Sequence, residues 1–131
     1  MKFTLSLQEK LKSSMAVAAV FTDGTAIRSG GLLVHAKVLP KAEGECDPVK
    51  VAFAVSKRRF KRSVDRNYIK RIMRECYRLQ KLNTEDEFFR DHRLHMVISY
   101  IHSERPDFQQ LKQQMEKGLA KTLQHIRSTG I

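Results

Sequence analysis

Apolar positions in the 131-residue chain recur with two periods in different stretches. A spacing near 3.6 marks one face of a helix, and strict alternation marks a half-buried strand. Met15 to Phe21 is the longest unbroken apolar run and predicts a first helix over about 14–22. Ser13 or Ser14 can cap its start, and Gly24 stands just past its end. Thr25 to Ile27 reads as a short strand before a turn at Ser29-Gly30-Gly31. Leu32 to Leu39 (LLVHAKVL) reads as a strand, with Val34, Ala36 and Val38 alternating against His35 and Lys37. Pro40 to Pro48, with Gly44, Glu43, Glu45 and Asp47, is a connecting loop. Val49 to Val55 (VKVAFAV) is a β-rich strand, apolar on both faces in its later part, and Leu94 to Tyr100 (LHMVISY) is another. Pro106-Asp107 opens a final helix with Asp107 as N-cap. Phe108, Leu111, Met115, Leu119, Leu123 and Ile126 then follow at helical spacing, and Gly130 marks the end. Gly118, inside that helix, costs roughly 1 kcal/mol relative to Ala.

The length predicts a single domain spanning 1–131 with a core of its own. The longest apolar run is too short to span a bilayer. Glu9, Lys10 and Lys12 interrupt the stretch where a signal peptide would place its core. Cys46 and Cys76 lack metal-type spacing; Cys76, on a predicted helix, reads as a small buried hydrophobe. The expectation is a reduced cytoplasmic protein without disulfides.

Charge changes this picture most. Between Lys57 and Lys81 stand eleven Lys/Arg and two acids, Asp65 and Glu75, a net +9 out of a formal +11 for the whole chain. A field that concentrated reads as a docking surface for a polyanion, above all nucleic acid. Taking Asp65 to Lys81 as a helix, with about 100° per residue, Ile69, Ile72, Met73, Cys76 and Leu79 share an apolar arc of roughly 120°. Arg66, Lys70, Lys81, Arg74, Asn67, Arg78 and Arg71 share a separate arc of roughly 140°. Charged helices ordinarily mix signs four residues apart. Here Arg62, Arg66, Lys70, Arg74 and Arg78 stand four apart and repel, a cost that a bound anion relieves. Guanidinium forks suit phosphate, and Asn67 adds a neutral donor and acceptor for a base or a 2′-hydroxyl. Tyr77, at the edge of this face, either stacks on a base or lays its ring over the sheet margin. The basic loop before the helix lies near the helix N-terminus, which also favours anions, and Asp65 serves as a cap or dipole partner.

Two stretches, Phe53-Ala54-Val55-Ser56-Lys57-Arg58 and Arg66-Asn67-Tyr68-Ile69-Lys70-Arg71, resemble the signature of the protein subunit of bacterial ribonuclease P. There, a strand ending V-S-K leads through a short basic loop into a helix opening R-N-R-x-K-R. The first helix with Val20-Phe21-Thr22-Asp23-Gly24 and the order of elements resemble the same family. The resemblance implies an α+β sandwich ordered helix, three strands, helix, strand, helix, with a mixed four-stranded sheet and an RNA-binding basic helix. It implies an accessory subunit that binds a large catalytic RNA and the 5′ leader of precursor tRNA while the leader is removed. It places hydrolysis on the RNA with Mg²⁺, which no motif of this chain binds, and expects no catalytic residue here. By position, it implies catalytic-RNA contacts at Lys57, Arg58, Arg62, Arg66, Asn67, Lys70, Arg71 and Arg74. It implies a leader groove at Lys10, Val17, Phe21, His35 and Ser56, where aromatic and basic groups suit a single strand. No obligate protein partner and no membrane are implied. Two positions depart from the family: Tyr68 replaces the usual second Arg and falls at the border of the apolar arc, and Val17 replaces a common aromatic.

Two other readings fit less of the sequence. A protein nuclease needs converging carboxylates or a His pair, whereas the acids are scattered and His92 and His95 straddle a predicted loop-to-strand border. A helix-turn-helix DNA reader needs a helix just before Arg66, where the sequence has a strand and a basic loop. A ribosomal or other structured-RNA-binding protein shares the charge and size, and composition alone leaves it open.

Overall fold

The computed structural model describes residues 14–40, 49–79 and 92–128. Lys10, Cys46, Lys81, the acidic run at 85–87 and Gly130 lie outside the described residues. The described elements are α1 (Ser14–Asp23), β1 (Thr25–Ser29), β2 (Leu32–Pro40), β3 (Val49–Val55), α2 (Ser63–Leu79), β4 (His92–Tyr100) and α3 (Phe108–Ser128). The strands form one mixed sheet in the order β1-β2-β4-β3. β1 pairs antiparallel with β2 and β2 with β4, while β3 runs parallel to β4. A parallel neighbour needs a crossover, and α2 lies on that connection between β3 and β4. The α+β architecture is the expected one.

Strand alternation assigns the two faces of the sheet. Val34 and Ala36 of β2, Val51 of β3 and Leu94, Met96 and Ile98 of β4 are buried in one core. Ile69, Met73 and Cys76 of α2 and Leu111, Met115, Leu119 and Ile126 of α3 complete it. Each Val, Leu, Ile or Met among them contributes about 1.5–3 kcal/mol by leaving water. The opposite parity carries Val97, Ala52 and Ala54, which cluster with Val17 and Val20 of α1. Helix α1 therefore covers one face of the sheet, and α2 and α3 cover the other.

The glycine inside α3 has a packing reason. Gly118 is buried, and a Cβ there would stand 3.2 Å from the Ser29 Cβ. Its absence lets α3 close on β1, where the Ser29 hydroxyl donates to the Gln114 carbonyl (2.8 Å) and the Gly31 N–H donates to Gln114 Oε1 (3.0 Å). Those bonds tie α3 to the β1–β2 hairpin, whose loop is Gly30-Gly31 with Gly30 at a φ of 57°, a region costly for other residues.

Element ends move slightly from the sequence expectation. β1 continues through Ser29, so the turn is shorter, and β4 starts at His92. Asp107 caps α3 as expected, accepting the Gln110 N–H at 3.1 Å. Helix α2 starts two residues before Asp65, because the Arg62 carbonyl accepts the N–H groups of Asp65 and Arg66, both at 3.2 Å. Asp65 thus lies inside the first turn, placed to interact with the helix dipole.

Candidate nucleic-acid interface

The basic surface is built by the turn after β3 and by the first three turns of α2. The Ser56 carbonyl accepts the N–H groups of Arg59 (3.3 Å) and Phe60 (3.0 Å), and the Ser56 hydroxyl accepts that of Arg58 (3.0 Å). This tight turn leaves Lys57, Arg58 and Arg59 exposed and swings Phe60 inward, where its ring lies 6.1 Å from that of Tyr100. Arg66 then reaches back from α2: its Nη1 donates to the carbonyls of Phe60 and Lys61, both at 2.9 Å. The basic loop is therefore latched onto the helix that follows it.

Both acids of the segment are taken up by arginines. Glu75 accepts from Arg78 Nε (3.0 Å) and Nη2 (2.9 Å), a bidentate pair that is mostly covered. Asp65 pairs with Arg105 at 4.0 Å. Lys57, Arg58, Arg62, Asn67 and Arg71 are exposed, and Lys70 and Arg74 are half-buried. The six Lys and Arg among them, with Asn67 between, keep a cationic strip along the described surface.

The helix wheel holds for Ile69, Met73 and Cys76, which are fully buried, and fails at its margins. Leu79 is exposed rather than packed. Tyr68, expected at the apolar border, is 40% exposed, and the Arg105 guanidinium sits 4.9 Å from its ring centroid. Tyr77 is buried with its ring 6.0 Å from that of Phe53, so it belongs to the sheet margin and not to a base. Arg78 is held by Glu75 and drops out of the outward ridge. Arg66 is half-buried and committed to the loop, so part of its role is architectural. Arg105 went unnoticed in the sequence, since no local pattern announces its tertiary contact with α2.

On the other face, α1 and the sheet bring together Val17, Phe21 and His35. Phe21 is 44% exposed and meets the His35 ring edge-on at 4.7 Å and 63°. Val17 packs with Val20, Val97, Ala52 and Ala54. Burial lowers the His35 pKa below its ordinary value, so the ring is neutral at pH 7 and suits stacking and hydrogen bonding more than charge attraction. Its Nδ1 is buried and makes no hydrogen bond among the described residues. Ser56 lies just past β3, and its hydroxyl serves the basic turn. Lys10, the fifth expected groove residue, lies outside the described residues.

Among the described residues, no group of three or more His, Cys, Asp or Glu could hold a metal ion. His92 and His95 both stand in β4, where residues three apart point to opposite faces. Cys76 is a free, buried thiol, with its pKa pushed up to about 11 by burial and then by neighbouring Glu75. Among the described residues, no helix is long and apolar enough to cross a membrane.

Similarity to known proteins agrees with this geometry. The family model Ribonuclease P matches residues 5–123. The ribonuclease P protein component of Porphyromonas gingivalis is 28% identical over 131 residues, covering 98% of this chain and 93% of that protein. The ribonuclease P protein component of Chlorobaculum tepidum is 40% identical over 74 residues, or 56% of this chain, and the match spans about half of that protein (48%). The solved Staphylococcus aureus RNase P protein shares the fold, with a TM-score of 0.55 at 18% identity, over 90% of this chain and 94% of that one. With the strand, basic turn and helix in the expected order and the model matching nearly the whole length, the chain belongs to the family of ribonuclease P protein components.

Proposed function

We propose that this protein binds the catalytic RNA of ribonuclease P through the α2 strip and the 5′ leader of precursor tRNA through the α1 face. The observation that carries the reading is the disposition of charge on α2. Both acids of the segment are matched by Arg78 and Arg105, while Lys57, Arg58, Arg62, Asn67, Lys70, Arg71 and Arg74 remain turned to a partner. A latched loop and a rigid helix hold these groups in place before binding, so little ordering is required when phosphates arrive.

The sheet supports a division of labour. α2 and α1 lie on opposite faces, so the RNA that docks on α2 leaves the Val17, Phe21 and His35 surface open to a second strand. That surface offers an aromatic edge and a neutral imidazole, which suit unpaired bases. In this account the protein is an accessory subunit of an endoribonuclease acting in the cytoplasm. Mg²⁺ works with the RNA to hydrolyse the phosphodiester, while this chain's residues anchor the RNA and hold the leader.

Salt dependence of binding to the transcribed RNA tests the docking face. With about six cations meeting phosphates, affinity falls by about three decades between 50 and 200 mM salt. Replacing Lys70 and Arg71 by Ala flattens that slope. A slope unchanged in the double variant would remove α2 as the docking face.

A further inference from the structure

Beside the cationic strip lies a mostly apolar cleft of about 340 Å³, lined by Tyr68, Arg71, Ile72, Glu75 and Phe108. That volume falls at the small end of ligand pockets, about 300–1,000 Å³. Its walls come from α2 and the start of α3, so it shares a sheet face with the docking strip and not with α1. Three features give the cleft a chemical preference. Tyr68 is 40% exposed although it sits in the middle of the contact helix, and Arg105 over the ring fixes its orientation. Arg71, exposed, stands at the rim and continues the run of phosphate-binding groups. Glu75 lines the cleft with both carboxylate oxygens held by Arg78, which leaves the walls mostly apolar.

We propose that this cleft takes one unstacked nucleobase of the ribonuclease P RNA, its plane against Tyr68 and Ile72 and its phosphate toward Arg71. The proposal rests on the docking of that RNA on α2 and adds a base-binding site to it. Aromatic and apolar walls recognise the π-face of any base. Every base has such a face, and uracil also offers an N3–H donor, so the site selects for an unstacked base and not for its identity. Charge complementarity and continuity with the strip favour RNA here over a second copy of the chain, whose own strip is equally positive. Tyr68 thereby replaces a motif arginine with a stacking group, exchanging one phosphate contact for one base contact.

The test compares the full-length protein with Tyr68→Ala, Tyr68→Phe and Lys70→Ala for binding to the transcribed ribonuclease P RNA across a salt series, together with chemical probing of base edges in each complex. The Tyr68 side chain is substantially exposed, so the fold survives its truncation, and a circular dichroism spectrum verifies this. Tyr68→Ala weakens binding by about 5- to 150-fold, the loss of one stacked base, with the salt slope unchanged. Tyr68→Phe binds as the parent does. One unpaired base is protected by the parent protein and exposed with Tyr68→Ala. Equal affinities and identical probing patterns would overturn the base site, as would a Tyr68→Ala loss accompanied by a flatter slope. Self-association of the free protein that Tyr68→Ala abolishes would assign the cleft to a second copy and overturn the proposal too. Lys70→Ala separates the two readings: a flattened slope there upholds the docking face even when the base site fails.

Discussion

Arg66 opens the family motif, yet its guanidinium donates to two carbonyls of its own chain, those of Phe60 and Lys61 at 2.9 Å. Truncation to Ala should therefore cost stability before any RNA is added, unlike truncation of Arg71. A hydrogen bond from a charged group contributes about 1.5–3 kcal/mol when sheltered. The Lys61 bond is exposed and the Phe60 bond is part-buried, so water takes over much of both acceptors once the fork is gone. A combined loss of about 1–3 kcal/mol is expected after that discount. With a urea dependence of about 1–3 kcal/mol per molar for a small domain, the unfolding midpoint of Arg66→Ala should fall by about 1 M. Arg66→Lys keeps the charge but not the planar fork, so it should recover the salt slope of RNA binding while recovering only part of the midpoint. Urea titrations followed by circular dichroism, paired with RNA binding, measure both quantities. A midpoint for Arg66→Ala equal to that of the parent would refute the latch and return Arg66 to a purely RNA-facing role.

Two further outcomes follow from the buried thiol and the α1 face. Cys76 is fully buried with its pKa raised to about 11, so its thiolate fraction at pH 8 is about one in a thousand and it should resist a thiol reagent until the chain unfolds. Because the unfolded thiol ionises near its ordinary value of 9.0 while the folded one stays protonated, the unfolded state holds fewer protons above pH 9, and stability should fall as pH rises from 9 towards 11. Rapid labelling of Cys76 in the native protein at pH 8, read by peptide mass spectrometry, would contradict its placement. Phe21→Ala should weaken binding of leader-bearing precursor tRNA to the holoenzyme by about 5- to 150-fold while leaving mature tRNA unaffected, since only the leader would stack there. Equal losses for both substrates would remove Phe21 from the leader path.

The sheet and helices were legible because period and burial coincide: every second residue of β2 and β4 faces the α2–α3 core, and the heptad-like spacing of α3 matches its buried set. The charge ridge was legible for the same reason, as Ile69, Met73 and Cys76 fix the rotation of α2. What escaped the sequence was tertiary. A wheel treats the helix as isolated, so it could not show that α2 leaves Leu79 uncovered or that Arg105 orients Tyr68. It also assigned Arg66 to the outside, because the loop that curls back beneath it is not helical and has no periodicity. The wheel set Arg78 on the ridge, and its pairing with Glu75 appears only in the structure. Gly118 looked like a weakness in α3 until Ser29 was found against it.

The central claim is that this chain assists an RNA enzyme and does not cleave by itself. Reconstitution with the cognate transcribed RNA, followed by precursor-tRNA cleavage at low Mg²⁺ with and without the protein, tests it most directly. The account predicts that the protein alone cleaves nothing, that the RNA alone is slow, and that the two together restore cleavage at the mature 5′ end, with Lys70→Ala and Arg71→Ala shifting the protein requirement to higher concentration. Cleavage by the protein without RNA, or an RNA reaction indifferent to the protein, would contradict it.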